Sequence, residues 1–154
     1  GLHASRDMSE AERAETVETL TRCASLAGAA NVTLTLEYHG GTLTDDRASV
    51  RRLLEETKDV KALKFYWQPR WDWPFDSRLE SLDEVLPRLS HLHVFTWEPD
   101  GGRLPLSDGE ALWTRVFERV PEDTYALLEF VQNDSDEALL RDAAVLNRWI
   151  GAGK

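Results

Sequence analysis

The chain has a single cysteine, Cys23, among its 154 residues. It therefore cannot close an internal disulfide. Cys23 lies within a helical pattern and reads as buried packing, and a reducing, cytoplasmic setting is expected. No apolar run approaches the roughly 20 residues that a membrane span needs. No signal-peptide pattern stands at the start, so no membrane partner is expected. Basic residues are also scarce: 18 Lys and Arg face 28 Asp and Glu, for a formal charge of −10. Duplex binding calls for a basic face. The nearest cluster, Arg47, Arg51 and Arg52, reads as the solvated side of a helix, so nucleic acid is not an expected partner. Low-complexity stretches, domain linkers and a phosphate-cradling glycine motif are all missing.

Tryptophan, by contrast, is plentiful, with six residues. Trp67, Trp71 and Trp73 crowd into "FYWQPRWDWPF". Two readings stay open: a cluster packed in core and loop, or an aromatic wall on a ligand pocket.

The periodicities divide the chain into an opening helix followed by four strand–helix pairs. Ser9 and Glu12 form a capping box for a helix over 10–28, with Val17, Leu20, Ala24 and Ala27 inward. "VTLTLEY" is a strand, and "TDDRASVRRLLEE" is a helix capped near Thr44 or Asp45. "VKALKFYW" is a strand, and "SRLESLDEVL" is a helix stopped by Pro87. "HLHVFTW" is a strand, and a second capping box, Ser107 and Glu110, opens "GEALWTRVFERV". "YALLEFV" is the last strand. Asn133 or Asp134 caps the last helix, whose inner stripe is Leu139, Ala143, Leu146 and Ile150. Helices between strands serve as crossovers and imply parallel pairing with right-handed connections. Residues 1–154 read as one domain. It is either a small open sheet or half of an eight-unit barrel.

Each strand runs apolar and then meets a polar residue near its end: Glu37, Gln68, His93 and Glu129. In parallel α/β folds these carboxyl-terminal ends line the functional face. A carboxylate between Leu128 and Phe130 needs a partner or a metal. Two glutamates with a histidine suit Mg²⁺, Mn²⁺ or Co²⁺, with Zn²⁺ a further candidate. The plainer alternative pairs each glutamate with an arginine such as Arg70 or Arg103. His91 competes with His93 from the same strand face. Trp67 or Asp72 competes with Gln68.

"LTLEYHGGTLTDD", "FYWQP", "HLHVFTW" and "YALLEFV", taken in order, resemble the sugar isomerase/epimerase family with the xylose-isomerase-like barrel. The likeness covers that family's C-terminal half. It implies α/β architecture, with parallel βα units forming the C-terminal half of a (βα)8 TIM barrel. It also implies a divalent metal held by Glu37, Gln68, His93 and Glu129, with Gln68 standing where the family usually has Asp. Glu37 and Glu129 are then the acid–base groups. His39, Trp67, Trp71 and Trp97 are expected at a small sugar or polyol substrate. Relatives with three-zinc DNA-repair sites need many histidines, and this chain has four.

The expected activity is a sugar or polyol isomerisation or epimerisation through an enediolate, with dehydration of a cyclic polyol as a related chemistry. The alternative is a non-catalytic half-barrel that binds a sugar-like ligand or only assembles. Either way, the expected partner is a missing N-terminal half of the barrel or a second copy of the chain.

Overall fold

A computed structural model describes residues 4–151. The elements are α1 (Glu10–Ala29), β1 (Leu34–Glu37), α2 (Arg47–Glu56), β2 (Leu63–Trp67), α3 (Phe75–Val85), β3 (Leu89–Val94), α4 (Glu110–Phe117), β4 (Tyr125–Leu128) and α5 (Asp136–Gly151). Strand order in the sheet is β1-β2-β3-β4, and the β1–β2 and β3–β4 pairs are parallel. A doubly wound sheet reverses its strand order at a switch point. The sequential order here has no reversal and is the order of a singly wound barrel wall.

The chain divides into two compact units, Gly1–Trp67 with Glu84–Ser90, and Gln68–Asp83 with His91–Lys154. In the first unit, the Ser9–Glu12 capping box opens α1 as expected. The buried residues of α1 are Arg13 and Ala24, and Cys23 is exposed. The buried-packing reading of Cys23 is therefore corrected: the inward side of the helix passes through the next residue, Ala24. Arg13 was missed from sequence. It donates to Ser49 Oγ at 2.9 Å and meets Glu56 at 2.9 Å. A buried cation needs such partners.

The start of α2 also shifts. Its cap is Asp46, which accepts from Ser49 N at 2.9 Å. Thr44 instead ties the loop to the end of β1 by donating to the Glu37 carbonyl. Asp45 is taken by the backbone N–H of Ser5. In β2 burial alternates: Leu63, Phe65 and Trp67 are fully buried, while Lys64 is exposed. The register places Thr35 and Glu37 opposite Lys64 and Tyr66, so these four share the less buried face.

Arg88 closes this unit. Its guanidinium donates to the carbonyls of Thr57, Val60 and Leu63 and to Thr57 Oγ1, and it stacks over Phe65 at 5.5 Å. Burial lowers its pKa from the ordinary arginine value. Glu84 draws Arg47 and Arg51 to one oxygen at 2.7 Å each. Arg52 pairs with Glu10 and Glu56. The basic cluster is thus consumed by ion pairs.

In the second unit two caps move. Ser107 lies in a 3-10 turn, Leu106–Gly109, and α4 starts after Gly109 with no side-chain cap. Asn133 and Asp134 adopt left-handed φ of 57° and 49°. The hydroxyl of Ser135 accepts from Ala138 N at 3.2 Å and caps α5. The inner stripe of α5 moves with it, to Ala138, Asp142, Val145 and Leu146, while Leu139 and Ile150 are 46% and 44% exposed. Asp142 is buried for a reason: it accepts from Leu106 N at 3.2 Å and pairs with Arg141 at 2.8 Å. Among the described residues no helix is long and apolar enough to cross a membrane.

Candidate active site

The second unit holds the strongest polar pair at the strand ends. β3 and β4 run parallel with His91 opposite Tyr125 and His93 opposite Leu127. Side chains alternate along strands, so His91 and His93 share a face. Their rings lie 5.3 Å apart. One residue past β4, the backbone N–H of Glu129 donates to the Val94 carbonyl at 3.0 Å and extends the pairing. This brings the Glu129 carboxylate to His93, with Nδ1 3.0 Å from Oε2. A carboxylate only accepts, so His93 Nδ1 carries the proton of this bond. Both side chains are mostly shielded, at 19% and 26% exposure. Burial, with help from the neighbouring His93, pushes the His91 imidazole below its ordinary value. His91 is thereby biased toward its neutral form.

The chain then turns sharply. Phe130 adopts φ 54°, a conformation that bulky residues rarely take. Its ring packs on Phe95 at 5.8 Å and on Trp97 at 5.2 Å, beside the His93–Glu129 pair in sequence. After β3 the chain forms a hairpin, in which Trp97 bridges Arg103 and Gly101 takes φ 95° at the tip. Arg103 ion-pairs with Asp134, and Arg70 pairs with Asp72 at 2.7 Å. At the end of β4, Glu129 meets a histidine.

The expected ligand-contact residues separate by environment. Trp67 is fully buried on the Leu63 and Phe65 face and belongs to the core. His39 is exposed, and its Nδ1 lies 2.6 Å from the carbonyl of Gly40. Trp71 sits in a loop pinned by Arg78, which donates to the carbonyls of Trp71 and Trp73 and stacks over the Trp71 ring at 4.7 Å. The indole N–H groups of Trp71 and Trp97 are shielded from solvent and meet no hydrogen-bond acceptor among the described residues. Buried donors of this kind call for an acceptor from outside the described protein atoms. Gln68 is buried at the start of the second unit. Glu37 ends β1 in the first unit, half-buried.

For a divalent metal, the donor chemistry is two carboxylates, an imidazole and an amide oxygen, a set that hard and borderline cations accept. Among the described residues no group of three His, Cys, Asp or Glu is gathered to hold a metal ion. His93 Nδ1 and Glu129 Oε2 engage each other.

No protein-family model matches the chain, and no curated protein matches it. Solved structures do. The crystal structure of the probable 3-DHS dehydratase AsbF, involved in petrobactin synthesis in Bacillus anthracis, superposes with a TM-score of 0.80 at 24% identity. The match covers 96% of this chain and 61% of that one. The chain thus spans less than two thirds of that structure's length. Four parallel strands in sequential order, flanked by helices, and this superposition together give the chain the α/β fold of a xylose-isomerase-like TIM barrel over part of the barrel's length.

Proposed function

We propose that the chain carries acid–base machinery for proton transfer beside the carbonyl of a small sugar or polyol. The observation that supports this is the 3.0 Å contact between His93 Nδ1 and Glu129 Oε2 at the ends of adjacent parallel strands. The Glu129 carboxylate takes a proton from the carbon next to the carbonyl: the C–H bond breaks, an O–H bond forms, and the electron pair moves to the carbonyl oxygen as an enediolate. The hydroxyl proton on that carbon then passes to the former carbonyl oxygen, and the proton held by Glu129 returns to the former carbonyl carbon as the new C=O forms, which completes an isomerisation. His93 holds Glu129 in place during the transfer and supplies positive character when protonated.

Mn²⁺, Mg²⁺, Co²⁺ or Zn²⁺, if bound, would polarise the carbonyl oxygen. Within this reading His93 and Glu129 are its donors here, and Glu37 and Gln68 are the further donors that the resemblance names. A dehydratase reading shares the first step. In it the enolate expels a hydroxyl from the next carbon, and an acid protonates that hydroxyl as it leaves as water. The fold match to a probable dehydratase favours keeping this second reading.

The test is solvent exchange: incubation with a panel of ketoses, aldoses and cyclic polyols in D₂O with Mn²⁺, followed by NMR. Deuterium should enter at the carbon beside the carbonyl, and Glu129→Gln should slow its entry by about 10²–10⁴-fold. Loss of the hydroxyl from the adjacent carbon would select the dehydratase. No exchange with any substrate, together with no binding of millimolar Mn²⁺, would select the non-catalytic module.

A further inference from the structure

Glu129 is held from behind by an arrangement that the proton-transfer reading does not use. The segment that follows it contains three non-glycine residues with left-handed backbone, Phe130, Asn133 and Asp134. Such conformations persist only where the surroundings enforce them. One side chain meets several residues of this segment. Arg103, on the returning arm of the β3 hairpin, stacks its guanidinium over Phe130 at 5.2 Å. It donates to the Val131 carbonyl at 3.3 Å and ion-pairs with Asp134. Its own carbonyl accepts from Gln132 Nε2 at 3.4 Å.

The hairpin that carries Arg103 is itself fixed, by Glu98 N to Gly102 O at 2.7 Å and Leu104 N to Thr96 O at 2.9 Å. Phe95 and Trp97 also pack against each other at 4.8 Å and against the Phe130 ring. The residue that follows Glu129 is therefore held by both an aromatic pair and a cation. On the near side, Glu129 N is bound to Val94 O.

We infer that Arg103 and Phe130 form a clasp that positions Glu129, setting where its carboxylate meets His93. Arg103 is a positioning residue here and takes no part in proton transfer. A planar guanidinium can stack on a ring while its edges hold a carbonyl and a carboxylate, and a lysine ammonium cannot do all three. The inference deepens the function proposed above, and only the importance of Glu129 rests on that reading. The hydrogen bond that the clasp serves is a property of the folded chain alone.

The bond can be read without a substrate. Long-range ¹H–¹⁵N correlation spectra of the full chain, labelled at histidine and recorded at about pH 8, above the ordinary histidine range, report which ring nitrogen carries the proton. In the wild-type chain His93 should hold its proton on Nδ1, facing Glu129. Glu129→Ala sets the reference for complete loss. Arg103→Leu should move His93 toward that reference, to a mixture of tautomers, and leave His39 as in the wild type. Arg103→Lys should restore the wild-type pattern only in part. Phe130→Leu, which keeps an apolar side chain but removes the stack, should repeat the Arg103→Leu result and carries the test if Arg103→Leu does not fold. Folded variants of both positions with an unchanged His93 spectrum would overturn the clasp. Isotope exchange into substrate tests the proton-transfer reading separately, so the two can fail independently.

Discussion

Gly109 lies against Thr96 so closely that a methyl group on it would sit 2.3 Å from the threonine Oγ1 and 3.0 Å from Trp113. The contact joins the turn before α4 to the end of β3, and Thr96 also donates to the Leu106 carbonyl at 3.2 Å. Trp113 is itself fully buried, with its indole donating to Phe95 O, so neither neighbour can yield cheaply. Gly109→Ala should cost about 1–3 kcal/mol, as overpacking does. Urea unfolding would show a lower midpoint with an unchanged slope.

Arg88 should be the most sensitive surface-proximal cation in the first unit. Removing its guanidinium takes a donor from the carbonyls of Thr57, Val60 and Leu63, although the first two keep the backbone N–H groups of Val60 and Leu63. Losing such partners costs about 1–3 kcal/mol for each buried group left unpaired. Arg88→Met should lower the stability by about 1–3 kcal/mol on that scale, whereas Arg6→Met, at an exposed pair, should change little. Parallel thermal melts of the two variants decide it.

His91 gives the fold a defined pH response. Its folded-state pKa is lowered, first by burial and then by His93, while in the unfolded chain it titrates near 6.5. The unfolded state therefore binds more protons as pH falls below about 6.5, and stability falls with it. His91→Gln should flatten the stability–pH curve between about pH 7.5 and 5.5 relative to the wild-type chain. Identical curves would remove His91 as the source.

β4 is an edge strand with Tyr125 75% and Leu127 47% exposed. An apolar parallel edge invites another strand. Light scattering of the purified chain should give a mass above 17.5 kDa, and Leu127→Lys should return it to that value. A wild-type mass of 17.5 kDa would count against an edge that seeks a partner.

The sequence disclosed the elements better than their ends. Repeated capping and apolar periods placed the α-helices and strands of the described residues, though not the 3-10 turns, because those signals are local. The caps that moved did so for tertiary reasons. Asp46 rather than Thr44 caps α2, since Thr44 is drawn to the Glu37 carbonyl. Ser135 caps α5 because Asn133 and Asp134 are held left-handed beside Arg103. The stripe of α5 shifted because a buried carboxylate, Asp142, lies on it, and no periodicity of apolar residues can flag a charge that Leu106 N and Arg141 satisfy. At the site, His93 and Glu129 were legible as polar residues ending apolar strands. Trp67 was not: only strand parity shows that it faces the core with Phe65. Arg103 and Phe130 gave no local sign of acting together, because they lie 27 positions apart on a hairpin and a turn.

The sequential strand order has a consequence for synthesis on the ribosome. Each new strand finds its neighbour already made, since β2 adds beside β1, β3 beside β2 and β4 beside β3. No gap must be held open for a later insertion, and the growing sheet always exposes its newest strand as the docking edge. Translation pauses after any of these helices would thus leave a shorter version of the same wall rather than a mispaired one, and β4, emerging after β3, delivers Glu129 onto a His93 that is already in place.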